Sequence, residues 1–211
     1  MPAHPFSTLW IFYDRQGRLY METEMREEVV EKKRNPLKEF LEMVVYVLCV
    51  AATAYFLYHF VGQQVVVEGQ SMKNTLDHGE HLILEKVSYR FGDPERFDIV
   101  VFRPYEDQEE TYYIKRIIGL PGETVQIIDS DIYIDGELLS EDYGRELIED
   151  PGRADEPITL GAEEYFVLGD NRNNSIDSRA KRIGAVKREV ILGRAWVRIW
   201  PLNKISILSH E

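Results

Sequence analysis

Between Met43 and Val61 the chain carries no Asp, Glu, Lys or Arg. About 19 residues rising about 1.5 Å each make roughly 28 Å of helix, close to the hydrocarbon thickness of a bilayer. Tyr55, Tyr58 and His59 gather toward one end of the stretch, as interfacial side chains do. A helix buried inside a soluble domain usually keeps a polar face, and this stretch has none. Ala52-Thr53-Ala54 matches the small-residue pattern of a cleaved leader, but the apolar run continues past it and the region before it is too long for an n-region. The stretch therefore reads as an uncleaved membrane anchor. Lys32, Lys33, Arg34 and Lys38 precede it and no Lys or Arg follows until Lys73, which places the N-terminus in the cytoplasm and the rest outside.

The expected organisation is a polar leader over 1–39, an anchor over 40–62 and an external unit over 63–211. Within the leader, Trp10-Ile11-Phe12-Tyr13 and Arg18-Leu19-Tyr20 flank Asp14-Arg15-Gln16-Gly17, the pattern of a small hairpin. After residue 62 short apolar runs alternate with turn residues, with candidate strands at 64–68, 81–86, 97–103, 111–118, 124–128, 131–135, 164–168 and 189–199. Asp135-Gly136 between Ile132-Tyr133-Ile134 and Leu138-Leu139 is a hairpin signal. Glu141–Pro157 is acidic with Gly and Pro and reads as a surface loop or extension. The fold class is mainly β: one N-terminal transmembrane helix and a curled, barrel-like antiparallel β unit.

A net charge of -12 argues against a broad nucleic-acid-binding face. A single cysteine, Cys49, rules out internal disulfides and any Cys-based metal cluster. No metal and no cofactor are implied.

Three stretches carry candidate chemistry. Ser71 lies in Gly69-Gln70-Ser71-Met72-Lys73-Asn74-Thr75-Leu76, between the runs Val65-Val66-Val67 and Leu82-Ile83-Leu84. Alone, a serine beside glycine is ordinary turn chemistry. In Tyr113-Ile114-Lys115-Arg116-Ile117-Ile118, strand alternation puts Tyr113, Lys115 and Ile117 on one face, with Lys115 its only charge. Alone, such a lysine snorkels from a sheet edge. Buried, it would lose proton affinity, and a neutral amine can take the proton of a serine hydroxyl. In Gly169-Asp170-Asn171-Arg172-Asn173-Asn174-Ser175-Ile176-Asp177-Ser178-Arg179 the polar composition alone describes a solvated loop, or one that supplies hydrogen bonds to orient a lysine.

Taken together and in order, the anchor and these stretches resemble the bacterial type I signal peptidases, membrane-bound Ser–Lys proteases, in a form with a single anchor similar to the Gram-positive branch. Arg96-Phe97-Asp98-Ile99-Val100-Val101-Phe102, Leu120-Pro121-Gly122-Glu123 and Gly193-Arg194-Ala195-Trp196 with Trp200-Pro201 extend the match over the chain after residue 39. The resemblance implies Ser71 as nucleophile, Lys115 as general base, Met72 beside the nucleophile, and Ser175 orienting the lysine amine. It also implies ion pairs between Arg116 and Asp170 and between Asp177 and Arg179. The implied partners are secretory preproteins, cleaved after small residues at -1 and -3, and the lipid bilayer; the oligomeric state is left open. Two departures stand out. Asn74 occupies a position where the family has proline, which bears on the rigidity of the turn. Gly69 replaces a serine that in some members helps hold the oxyanion, leaving the Ser71 N–H as one donor and the second donor open. Rival readings are a self-cleaving Ser–Lys repressor peptidase, which would need a DNA-binding region, a Ser–His hydrolase using His78 or His81, and an anchored binding module without catalysis.

Overall fold

The computed structural model describes residues 9–13, 15–16, 19–23, 35–56, 62–104, 111–144 and 146–208. By internal contacts the chain divides into two units, Met1–Cys49 and Val50–Glu211. In the first, β1 (Leu9–Tyr13) and β2 (Leu19–Thr23) form the expected antiparallel hairpin, with Leu9 opposite Thr23 and Tyr13 opposite Leu19.

Helix α1 (Pro36–Phe56) begins seven residues before the apolar run, because the chain supplies a start signal there. The Asn35 side chain accepts the Leu37 N–H at 3.2 Å, and Pro36 occupies the first helical position, where a missing N–H costs nothing. Its 21 residues contain no buried side chain and are long and apolar enough to cross a membrane. Residues 57–61, the end of the expected anchor, lie outside the described ones.

The second unit is β. Its strands are β3 (Gly62–Val66), β4 (His81–Glu85), β5 (Ile99–Phe102), β6 (Tyr113–Gly119), β7 (Thr124–Ile128), β8 (Asp131–Ile134), β9 (Glu137–Leu138), β10 (Ile158–Thr159), β11 (Glu164–Leu168), β12 (Val186–Lys187), β13 (Ile191–Trp200) and β14 (Ser206–Ile207). An eight-stranded antiparallel sheet runs β12-β11-β6-β5-β13-β4-β3, with β14 added to β13. A four-stranded sheet runs β10-β7-β8-β9, its β8–β9 turn made by Asp135 and Gly136, both at positive φ as a type I′ hairpin demands.

Ten-residue β13 explains the curl of the large sheet. Its first part pairs with β5 (Ile191 opposite Phe102) and the rest with β4 (Arg194 opposite Glu85, Trp200 opposite His81). Register shifts between Ile191 and Gly193, Ala195 and Val197, and Arg198 and Trp200 add local twist, so the sheet coils instead of lying flat. Gly193 permits the close approach: a Cβ there would lie 2.3 Å from the Glu85 carbonyl oxygen.

Three apolar clusters fill the unit. Ile118, Val125, Ile127, Ile132 and Leu168 join the two sheets. Val100, Phe102, Ile117, Tyr165 and Val167 lie together on the large sheet. Val67, Met72, Leu76, Leu82, Ile99 and Ala195 seat the turn that carries Ser71. Full burial of Met72 and Leu76 contributes about 1.5–3 kcal/mol each toward holding that turn down.

Glu141–Pro157 is more than the surface loop its composition suggests. It contributes Ile148 and Ala154 to the core. Glu141 pairs with the buried Arg172 at 2.7 Å, so its acidity answers an inward-facing cation.

Candidate active site

Ser71 opens a single turn of chain. Lys73 N–H donates to the Gln70 carbonyl (3.0 Å), and both Thr75 and Leu76 N–H donate to the Met72 carbonyl (3.1 and 2.8 Å). Gly69, two residues earlier, has φ +91°, a backbone state that suits glycine. Asn74 has φ +101°, which a proline ring locked near -65° could not adopt. The turn here therefore has a different backbone from one built on proline. Other contacts hold it: Asn171 N–H donates to the Ser71 carbonyl and Asn171 Nδ2 to the Gln70 carbonyl, both at 3.0 Å.

Lys115 comes from the middle of β6, opposite Val100 of β5. Strand alternation sends it to the face of Tyr113 and Ile117, and only 3% of it is exposed. Phe102 and Tyr113 stack at 6.0 Å between ring centroids, and Lys115 Nζ lies 5.5 Å from the Tyr113 ring. Nζ is 2.8 Å from Ser71 Oγ and donates to the Ile114 carbonyl at 2.9 Å. Burial pushes the amine down from 10.5 to about 8, against the opposing pull of the Asp177 and Asp170 carboxylates. A hydroxyl within hydrogen-bond reach of an amine so poised can give up its proton to it. The Ser71 N–H makes no hydrogen bond among the described residues and is free to donate to an incoming oxygen.

Arg116, next on the strand, forms a buried fork on Asp170: Nε to Oδ1 at 2.9 Å and Nη2 to Oδ2 at 2.7 Å. Its Nη1 donates to the Phe97 carbonyl at 2.9 Å, and the Tyr143 ring covers the guanidinium at 3.6 Å. Thr75 Oγ1 donates to Asp170 Oδ2 at 2.5 Å, so the far end of the Ser71 turn is tied to the strand that carries Lys115. Asp177 and Arg179 form the second fork, with both contacts at 2.9 Å, and Asp177 Oδ2 also accepts the Gly169 N–H at 3.1 Å.

The structure thus brings Ser71, Lys115, Met72, Arg116, Asp170, Asp177 and Arg179 into one neighbourhood. Ser175 is close as well, but its buried Oγ makes no hydrogen bond, and the second partner of Lys115 is the Ile114 carbonyl. His78 Nδ1 accepts the Gly69 N–H at 3.2 Å and His81 Nδ1 faces Gln64 Nε2 at 2.6 Å, so each is occupied away from the Ser71 hydroxyl.

Sequence reasoning did not single out Gly169, Thr75, Asn171 or Tyr143. A Cβ on Gly169 would lie 2.2 Å from Ser175 Oγ and 2.5 Å from the Ser71 carbonyl oxygen, so only glycine lets the two segments meet. The first three lie inside the motifs already quoted, which was the available signal. Tyr143 had none.

A family profile described as "Signal peptidase, peptidase S26" matches residues 37–200. The chain is 37% identical to a probable signal peptidase I-2 of Synechocystis sp., over 89% of this chain and 85% of the relative. It is 42% identical to a signal peptidase I of Leptolyngbya laminosa, over 71% and 74%. With a signal peptidase I P of Bacillus subtilis subsp. natto it shares 31% identity over 83% and 97%.

Proposed function

The chain belongs to the peptidase S26 family of signal peptidases, and on that premise we propose that it is a membrane-anchored signal peptidase I that cleaves exported preproteins with a Ser71–Lys115 dyad. The observation that carries the dyad is the 2.8 Å separation of Lys115 Nζ and Ser71 Oγ at a lysine almost closed to water. Neutral Lys115 takes the hydroxyl proton as Ser71 Oγ attacks the scissile carbonyl. The Ser71 N–H donates to the oxygen as its negative charge develops. Lys115 then returns the proton to the leaving amine, and afterwards activates the water that releases the acyl group. The role of orienting the amine falls to Ser175 by the family resemblance; its Oγ approaches Gly169, next to the Ser71 carbonyl.

Helix α1 is the anchor in this reading, with residues 1–39 in the cytoplasm and 63–211 outside. Lys32, Lys33, Arg34 and Lys38 on one flank support that orientation. Protease added to intact spheroplasts then digests the region after Val61 and spares the leader; the opposite protection pattern sinks the orientation. Specificity for small side chains at -1 and -3 rests on the resemblance. Precursors with Ala at -1 are cleaved and those with Leu or Phe at -1 are not, and equal rates for Ala and Leu would refute the small pocket. The activity itself is tested by incubating the purified full chain in detergent with a secretory precursor, beside Ser71→Ala. Processing by the wild type alone is expected, and processing by neither would favour a binding module.

A further inference from the structure

Arg198 lies in β13, between Trp196 and Trp200, and is not among the residues that carry the resemblance. Its guanidinium serves acceptors on four residues. Nη1 donates to the Thr75 carbonyl at 3.2 Å and to the Glu80 carboxylate at 3.1 and 2.9 Å. Nε donates to the Lys204 carbonyl at 2.9 Å and Nη2 to Ser206 Oγ at 3.0 Å. Glu80 is 2% exposed and is also met by Lys204 Nζ at 3.3 Å.

What Glu80 and Arg198 hold is the loop that carries Ser71. The Glu80 carbonyl accepts the Val67 N–H at 2.9 Å, and the Val67 carbonyl accepts the Gly79 N–H at 2.9 Å. These bonds close the loop at its base, on both sides of Ser71. Thr75, where the Ser71 turn ends, is gripped twice. Its hydroxyl goes to Asp170 beside Arg116, and its carbonyl goes to Arg198. The first grip ties the turn to the strand bearing Lys115. The second ties it to β13, which reaches Lys115 through β5. The two grips act from opposite ends of Thr75 and hold the far end of the turn, as the Asn171 contacts to Gln70 and Ser71 hold its near end.

We propose that Arg198, charge-balanced by Glu80, is a positioning residue for the Ser71 hydroxyl, acting through the Thr75 carbonyl. The proposal rests on the reading of Ser71 as nucleophile. A displacement of the hydroxyl of about 1 Å is enough to lower turnover about 100-fold without touching substrate binding. The effect therefore belongs in kcat and not in KM.

The test uses the full chain in detergent and a secretory precursor. Arg198→Gln with Glu80→Gln removes the contact on the Thr75 carbonyl without stranding a buried carboxylate. Arg198→Lys keeps a charge for Glu80, but a single ammonium cannot serve the same acceptors. Ile132→Ala, in the four-stranded sheet, lowers stability away from the site. Assays run well below every Tm. Expected is a fall in kcat of about 10- to 100-fold for the double variant and for Arg198→Lys, KM within about twofold, and near-normal kcat for Ile132→Ala. Wild-type kcat in whichever Arg198 variants fold overturns the proposal, as does an equal loss in Ile132→Ala. Ser71→Ala is assayed alongside. If it still cleaves, the nucleophile assignment falls and this proposal with it. If it is dead while the Arg198 variants turn over normally, only this proposal falls.

Discussion

Lys115 Nζ and Ser71 Oγ stand 2.8 Å apart across 44 residues of chain, with the lysine held at about 8 by burial. That poise has a thermodynamic consequence. Between about 8 and 10.5 the unfolded chain binds the proton that the folded one refuses, so stability falls as pH drops through this window and is level in this group below it. The folded state is destabilised at neutral pH by about 3 kcal/mol relative to a neutral side chain. Lys115→Met should therefore raise Tm at pH 7 by several degrees while abolishing cleavage. Thermal unfolding at pH 7 checks it, and a Tm at or below the wild type contradicts it.

Keeping the charge is no substitute for releasing the proton. Lys115→Arg places a guanidinium, protonated at every working pH, beside Ser71. Its kcat/KM should fall about 10²–10⁴-fold, the usual worth of a general base. Ser175→Ala, which leaves the base in place, should be impaired less than Ser71→Ala. Steady-state assays of the three variants give the ranking, and an active Lys115→Arg would refute the dyad.

Asp170→Asn leaves the buried Arg116 guanidinium without its carboxylate. Removing one partner of such a pair costs about 3–5 kcal/mol. Both Tm and activity should fall, because Asp170 also accepts from Thr75. Denaturant titration measures the loss; a change under about 1 kcal/mol would show the pair to be dispensable.

Gly169→Ala drives a methyl into the Ser71 carbonyl and the Ser175 hydroxyl. Backbone must shift, and kcat should fall about 10- to 100-fold with a smaller effect on KM. Normal kinetics in this variant would mean that the contact between the two segments does not set the position of Ser71.

Much of this was readable from local pattern. The apolar span, the Asp135-Gly136 hairpin and the alternation that turns Lys115 inward with Ile117 depend on neighbours in sequence. Other features depend on partners far along the chain, to which periodicity is blind. Nothing near Arg198 announces that it will meet Thr75, 123 residues away. The bend of β13 comes from pairing with two different strands, and Glu141–Pro157 looked like an acidic loop because its buried partner, Arg172, lies 31 residues from Glu141. Asn74, standing where the family has proline, leaves the rigidity of the turn open in the sequence. The turn takes a positive φ there and is held by contacts of Asn171 and Thr75.

The most direct test of the dyad is kcat/KM for a secretory precursor as a function of pH, from about 5.5 to 9.5, in the wild type and in His78→Ala/His81→Ala. Lysine must be neutral to act, so activity should fall about tenfold per pH unit below an inflection near 8, in both proteins alike. A profile flat across this range, or an inflection near 6.5 that vanishes with the histidines, would contradict Ser71–Lys115 catalysis.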